Sequence, residues 1–263
     1  MKLLKLFTVA SLLFFTVASY AQPNILSHRG YYTKNGKIVT DENSLDALKR
    51  AQEANLYSIE FDVHLTADDK IVIHHDTKIE GNLNCQKSTF EEIRKYRLPL
   101  GNQIPSLEEW LTQAEKHPTL KYVIEIKKHS WKREKQLIKM VVDAVHAHNL
   151  QDRVGYVSFR LETCKELLRV DPKACVTYNS ANVHETLTPD DAKALGFYGI
   201  SYRIDVFLNH VEWIKRCQEI DLKSFFWMVN SKYLVDLGCK LGVSFITTDY
   251  ADVILKYLEE NKK

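Results

Sequence analysis

Little in this sequence divides, staples or strongly charges the chain. Its five cysteines (Cys85, Cys164, Cys175, Cys217 and Cys239) are scattered without a C-x-x-C pair, which excludes a cysteine zinc site and a dense disulfide framework. One disulfide is compatible with the sequence and the odd count leaves at least one free thiol, but each cysteine reads more simply as a small buried apolar residue. No linker, charge block, low-complexity tract or strong repeat interrupts the chain after Asn24. Its 263 residues, 45% hydrophobic and 27% charged, suit one large domain better than two small ones. The formal net charge is only +2, and zero once Lys2 and Lys5 are set aside, so no global field recruits nucleic acid.

Long apolar runs are absent too. The stretch Leu6 to Val17, preceded by Lys2 and Lys5, is shorter than the roughly 20 residues of a membrane span, and Ser19-Tyr20-Ala21 offers small residues where a signal peptidase reads. Residues 1–21 are expected to be a signal peptide cleaved after Ala21. With no cysteine nearby for a lipid anchor, residues 22–263 are expected as a soluble, exported, periplasmic or secreted domain without stable membrane association.

What is present is an alternation. Strands are predicted at Ile25–Ser27, Ser58–Val63, Tyr122–Ile126, Val154–Phe159, Ala174–Tyr178, Tyr198–Tyr202, Ser224–Val229 and Val243–Thr247, with apolar residues at helical spacing between them. Eight strands alternating with helices imply a parallel sheet, and the expected fold is a (β/α)8 barrel. Helix-start signals agree: Asn43 or Ser44 for the first, Ser106 with Glu109 as a capping box, and Thr188-Pro189. Lys70 to Asp76 follows the second strand after too short a turn for a parallel crossover. It is read as a hairpin return that brings His75 level with Asp62. Residues 77–105 then form a short cap, with a helix expected over Thr89–Tyr96.

In such a barrel the reacting groups belong at the carboxyl ends of the strands. Strand one ends in His28-Arg29-Gly30. Strand two carries Glu60-Phe61-Asp62, whose alternation turns both carboxylates to one face. Strand three repeats the device as Glu125-Ile126-Lys127. Charged residues in strands this apolar are costly without a partner, and Glu60, Asp62 and Glu125 make an all-oxygen set suited to one divalent cation, Mg2+ or Ca2+. Arg29 and Lys127 then read as clamps for an anionic phosphoryl group, and His28 and His75 as proton acceptor and donor.

With these residues the chain resembles the glycerophosphodiester phosphodiesterase family. The motifs His28-Arg29-Gly30, Glu42-Asn43-Ser44, Glu60-Phe61-Asp62-Val63, Thr66-Ala67-Asp68, His75-Asp76, Pro105-Ser106-Leu107-Glu108-Glu109, Ile124-Glu125-Ile126-Lys127, Trp227-Met228-Val229-Asn230 and Thr247-Thr248-Asp249 occur in the family's order. The resemblance implies the barrel, and hydrolysis of small-molecule glycerophosphodiesters to glycerol 3-phosphate and an alcohol. It also implies a divalent ion on Glu60, Asp62 and Glu125, and acid and base roles for His28 and His75. The substrate's own 2-hydroxyl is the family-type attacking group, giving a cyclic phosphate that water opens.

Two departures touch the substrate side. Ser158-Phe159-Arg160 stands where the family has Ser-Phe-Asp, and Ile79-Glu80-Gly81-Asn82 replaces an Arg-Thr-Thr stretch. Glu42 is read as a brace for Arg29, a substrate contact or a helix N-terminal carboxylate, and Trp227 as a wall of the glycerol pocket or a packing residue. The alternative reading is a related barrel phosphodiesterase acting on another diester or on an intact lipid head group, which requires an exposed apolar rim. Residues 77–105 carry Lys87, Glu91, Glu92, Arg94 and Lys95 and show no amphipathic membrane-binding stretch, so deacylated substrates are favoured.

Overall fold

A computed structural model describes residues 22–261; the expected signal peptide lies outside them. Strand β1 (Asn24–Ser27) leads into a small hairpin, β2 (Thr33–Lys34) and β3 (Lys37–Ile38), and helix α1 (Leu45–Glu53). Strand β4 (Ser58–Leu65) folds back as β5 (Ile71–Ile73), and α2 (Phe90–Arg94) and α3 (Leu107–Ala114) complete that excursion. The chain continues through β6 (Lys121–Ile126), α4 (Trp131–Ala147), β7 (Val154–Ser158), α5 (Leu161–Val170), β8 (Cys175–Ser180) and α6 (Pro189–Ala194). It ends with β9 (Gly199–Arg203), α7 (Ile204–Leu208), α8 (Glu212–Glu219), β10 (Lys223–Trp227), α9 (Lys232–Leu241), β11 (Phe245–Thr248) and α10 (Ala251–Glu260).

β1 pairs in parallel with β4 on one side and β11 on the other, and β6 to β10 complete the ring. The architecture is a closed (β/α)8 barrel. Strand boundaries differ from those read in the sequence by one or two residues, except that β4 runs on to Leu65 as one arm of the hairpin. That hairpin forms as predicted: β5 runs antiparallel to the end of β4, with Val63 opposite Ile73, and the His74 amide donates to the Asp62 carbonyl at 3.1 Å.

Alternation along β4 does the sorting. Ile59, Phe61 and Val63 face the helical layer and are fully buried, and the Phe61 ring packs on Trp110 of α3 with centroids 4.5 Å apart. Truncating such a side chain costs about 3–5 kcal/mol. Inside the barrel, Leu26, Phe225 and Phe245 form a separate apolar cluster, with the two phenylalanine rings stacked at 4.3 Å. This plug is an apolar floor under the polar strand ends, and charges above it interact more strongly than they would in water.

The helix starts follow the capping signals. Ser44, not Asn43, caps α1 through the Ala47 amide; Ser106 and Glu109 form a reciprocal box; and Thr188 caps α6 with Pro189 at its first position. The helix expected over Thr89–Tyr96 is shorter, Phe90–Arg94, behind a capping box of Thr89 and Glu92. The cap segment has its own small core of Val72, Ile79, Cys85, Ile93, Leu98 and Ile104. The β2–β3 hairpin and α7 were not anticipated, because each is too short to set up a period. All five cysteines are free thiols. Among the described residues no helix is long and apolar enough to cross a membrane.

Candidate active site

The turn after β1 sets the site's first corner. Arg29 (φ +55°) and Gly30 (φ +84°) are consecutive left-handed residues. A side chain at Gly30 would place its Cβ 2.9 Å from that of Ala47, so only glycine lets α1 approach this closely. The Gly30 amide donates to the Glu60 carbonyl at 2.9 Å and the Arg29 amide to Glu60 Oε2 at 2.9 Å. The corner is thereby fastened to β4.

β4 and β6 run in register, with Asp62 opposite Glu125, so the carboxylates of Glu60, Asp62 and Glu125 converge. One oxygen from each lies within 4.8 Å of the others. Asp62 Oδ2 accepts from Asn43 Nδ2 at 2.8 Å. Lys127 Nζ lies 2.7 Å from Asp62 Oδ1 and 2.8 Å from Glu125 Oε1. Glu60 Oε1 is buried without a hydrogen-bond partner among the described residues, and Asp62 Oδ1 has only the Lys127 charge contact, without hydrogen-bond alignment.

The electrostatics follow from three acids, Glu60 and Asp62 buried and Glu125 largely so, sharing one lysine. Burial and the charges of Asp62 and Glu125 hold the Glu60 carboxyl well above its ordinary range. Burial likewise pushes Glu125 up to about 7, against the pull of Lys127. At Asp62 burial acts upward but Lys127, His75 and Asn43 prevail, and it falls to about 2. Lys127 is raised: burial opposes its charge, but Asp62 and Glu125 outweigh that. A cluster this short of positive charge, all oxygen and with orphaned acceptors, fits a hard divalent cation.

Two imidazoles border the same cavity. His28 Nδ1 is 2.8 Å from Asp249 Oδ1, and Asp249 is itself held by Asn230 Nδ2 at 2.7 Å and through its amide by Asn230 Oδ1 at 3.0 Å. Burial acts to raise Asp249, but His28, Asn230 and Tyr32 bring it down to about 2. This fixed carboxylate makes Nδ1 the protonated nitrogen of His28 and leaves Nε2 for the pocket. His75 repeats the pattern from the hairpin, with Nδ1 2.9 Å from Asp76 Oδ1. Burial lowers its pKa, against the pull of Asp62.

The cavity they enclose, about 230 Å3, is lined by both histidines, Arg29, Glu60, Glu125 and Trp227 above the plug. Arg29 Nη1 pairs with Glu42 Oε1 at 2.7 Å, so Glu42 is the brace for Arg29, and the buried Arg29 Nε has no partner among the described residues. Trp227 walls the cavity edge-on to Phe159, with centroids 5.8 Å apart. The sequence reading missed the supports. Asn43, Asp249 and Asn230 all belong to the family-like motifs; the available signal was the position of Asp249 and Asn230 just after β11 and β10 and of Asn43 just before the cap of α1. His129 carried none: its Nε2 accepts from the Leu65 amide at 3.1 Å and its Nδ1 meets the Lys127 carbonyl at 2.7 Å, holding the backbone of the lysine.

Paired histidines around an acidic cluster and two cations, at the carboxyl face of a parallel barrel, define a hydrolase of phosphoric diesters. Comparison with known proteins gives the family. The chain belongs to the glycerophosphoryl diester phosphodiesterase family, whose sequence model matches residues 28–253. A crystal structure of a glycerophosphodiester phosphodiesterase from Parabacteroides distasonis is 34% identical, superposes with a TM-score of 0.85, and is matched over 92% of this chain and 99% of that one. Glycerophosphodiester phosphodiesterases of Caldanaerobacter subterraneus and Bacillus altitudinis are 28% and 26% identical. Each alignment covers 90% of this chain, and 98% and 99% of those proteins respectively.

Proposed function

We propose that the protein hydrolyses glycerophosphodiesters to sn-glycerol 3-phosphate and an alcohol. In this reading one divalent cation, Mg2+ or Ca2+, is bound by Glu60, Asp62 and Glu125, and protons move through His28 and His75. The observation that carries it is the pair of imidazoles, each backed at Nδ1 by a carboxylate, on the rim of one acidic cavity. When bound, the cation supplies positive charge against the phosphoryl oxygens as negative charge builds there.

The chain's own residues account for the rest. Arg29, held by Glu42, and Lys127, held by Asp62 and Glu125, present fixed positive charge to the phosphoryl group at no reorganisation cost. Of the two Nε2 atoms, one accepts the proton of the attacking hydroxyl, the substrate's own 2-hydroxyl in the family-type route, while the other gives a proton to the departing alcohol oxygen. Water then opens the cyclic phosphate with the roles reversed, so the net change is one water added across one P–O bond. The apolar plug of Leu26, Phe225 and Phe245 keeps bulk water from the barrel axis.

The leader supports an exported enzyme. Mass spectrometry of the protein recovered from outside the cytoplasm should find Gln22 as its first residue. Activity is tested by incubating purified protein with glycerophosphocholine and glycerophosphoethanolamine, with Mg2+ or with Ca2+. Release of glycerol 3-phosphate that EDTA stops is expected. Inertness on both and on a wider diester panel, with either metal, would refute the reading.

A further inference from the structure

Among the described residues, seven buried side-chain nitrogens and oxygens lack a hydrogen-bond partner. Arg29 Nε, Glu60 Oε1 and Asp62 Oδ1 belong to the centre already described, and Trp110 Nε1 and Asp252 Oδ1 come from residues outside the catalytic cavity. The other two, Asn179 Oδ1 and Trp227 Nε1, come from residues that line it. A buried polar atom without a partner is costly, and neither the cation nor the clamps on the phosphoryl group account for this pair.

Alternation along β8 places Asn179. Val176 and Tyr178 turn outward into the main core, so Thr177 and Asn179 point into the barrel, where both line the cavity. Asn179 is only 8% exposed, at a level that barrels ordinarily fill with Val, Ile and Leu. Its register partner on β9 is Ser201, also buried and also a lining residue. Around the ring, β8 is four strands from β1 in either direction. This polar flank therefore lies across the barrel axis from the strand that leads to His28, with Trp227 at the end of β10 beside it.

We infer that Asn179 and Trp227 hold the free primary hydroxyl of the substrate's glycerol, the one remote from phosphorus. The inference rests on the phosphodiesterase reading and adds the residues that select the glycerol. A hydroxyl both donates and accepts, which matches an orphaned carboxamide oxygen and an orphaned indole N–H. Turning the carboxamide by half a turn exchanges its oxygen and nitrogen and leaves the match intact. The phosphoryl group is anchored on the β1, β4 and β6 side by Arg29 and Lys127, so a contact on β8 and β10 requires the glycerol to lie across the barrel. The leaving alcohol then points to the mouth. Discrimination between glycerol and other 1,2-diols is set inside the barrel, apart from any choice of head group.

The test compares kcat/KM for glycerophosphocholine with that for its 1-deoxy analogue, the phosphocholine ester of propane-1,2-diol, which keeps the attacking 2-hydroxyl and lacks the remote one. The wild-type protein should favour glycerophosphocholine at least about tenfold, because the analogue leaves Asn179 and Trp227 unpaired. Asn179→Leu, close in size, should bring that ratio near unity. Trp227→Phe, which keeps an aromatic wall and removes the N–H, should lower it by about threefold or more. A wild-type ratio near unity overturns the inference and leaves the phosphodiesterase reading standing. So does a ratio that Asn179→Leu leaves unchanged because both substrates slow together. Should Asn179→Leu fail to fold by circular dichroism, the wild-type and Trp227→Phe ratios decide in the same way. If neither diester is cleaved, the reading fails and the inference with it.

Discussion

His28 and Asp249 are 221 residues apart in sequence and joined by a 2.8 Å contact between Nδ1 and Oδ1. They meet because β1 and β11 are neighbours in the closed barrel, with Ser27 opposite Thr248. The contact decides which nitrogen of His28 carries its proton. Asp249→Asn offers Nδ1 either an acceptor or a donor, so the wrong tautomer becomes available. We expect kcat to fall by roughly a hundredfold or more with the thermal melt little changed, measured by steady-state kinetics and circular dichroism. Wild-type kcat would remove Asp249 from the account.

Asn43 reaches the acidic cluster from the loop just before the Ser44 cap of α1, donating to Asp62 at 2.8 Å. Replacing it by Ala leaves Asp62 Oδ2 buried and unsatisfied, at a cost of about 1–3 kcal/mol, and frees the carboxylate to turn. Calorimetric titration with Ca2+ or Mg2+ should show weaker binding for Asn43→Ala and a far larger loss for Glu60→Ala. Equal affinity in all three proteins would place the cation elsewhere.

The buried imidazole of His64 gives a stability prediction. It is 1% exposed, and burial, together with the neighbouring His129, brings its pKa down to about 3. Below its ordinary value of 6.5 the unfolded chain takes up a proton that the folded chain refuses, so stability falls as pH drops from 6.5 towards 3. The slope from this one group approaches about 1.4 kcal/mol per pH unit. Denaturant unfolding of the metal-free protein at pH 7, 6 and 5 should show the decline, and His64→Phe should flatten it. An equal decline in the variant would assign it to other groups.

Much of this site was legible because period two is a strong signal. Once β4 and β6 were read as strands, Glu60, Asp62, Glu125 and Lys127 had to share a face, and the short turn after Leu65 forced His75 back beside them. The supports were less legible because they depend on closure. Nothing local at Asp249 or Asn230 says that β11 will lie against β1. His129 looks like any loop histidine until Leu65 and Lys127 are seen on either side of it.

The most direct test of the central claim separates proton transfer from cation binding in His28→Ala and His75→Ala. With glycerophosphocholine as substrate, each variant should lose turnover by at least a hundredfold while binding Mg2+ or Ca2+ with near wild-type affinity in calorimetric titration. Wild-type rates in either variant would contradict the two-histidine mechanism.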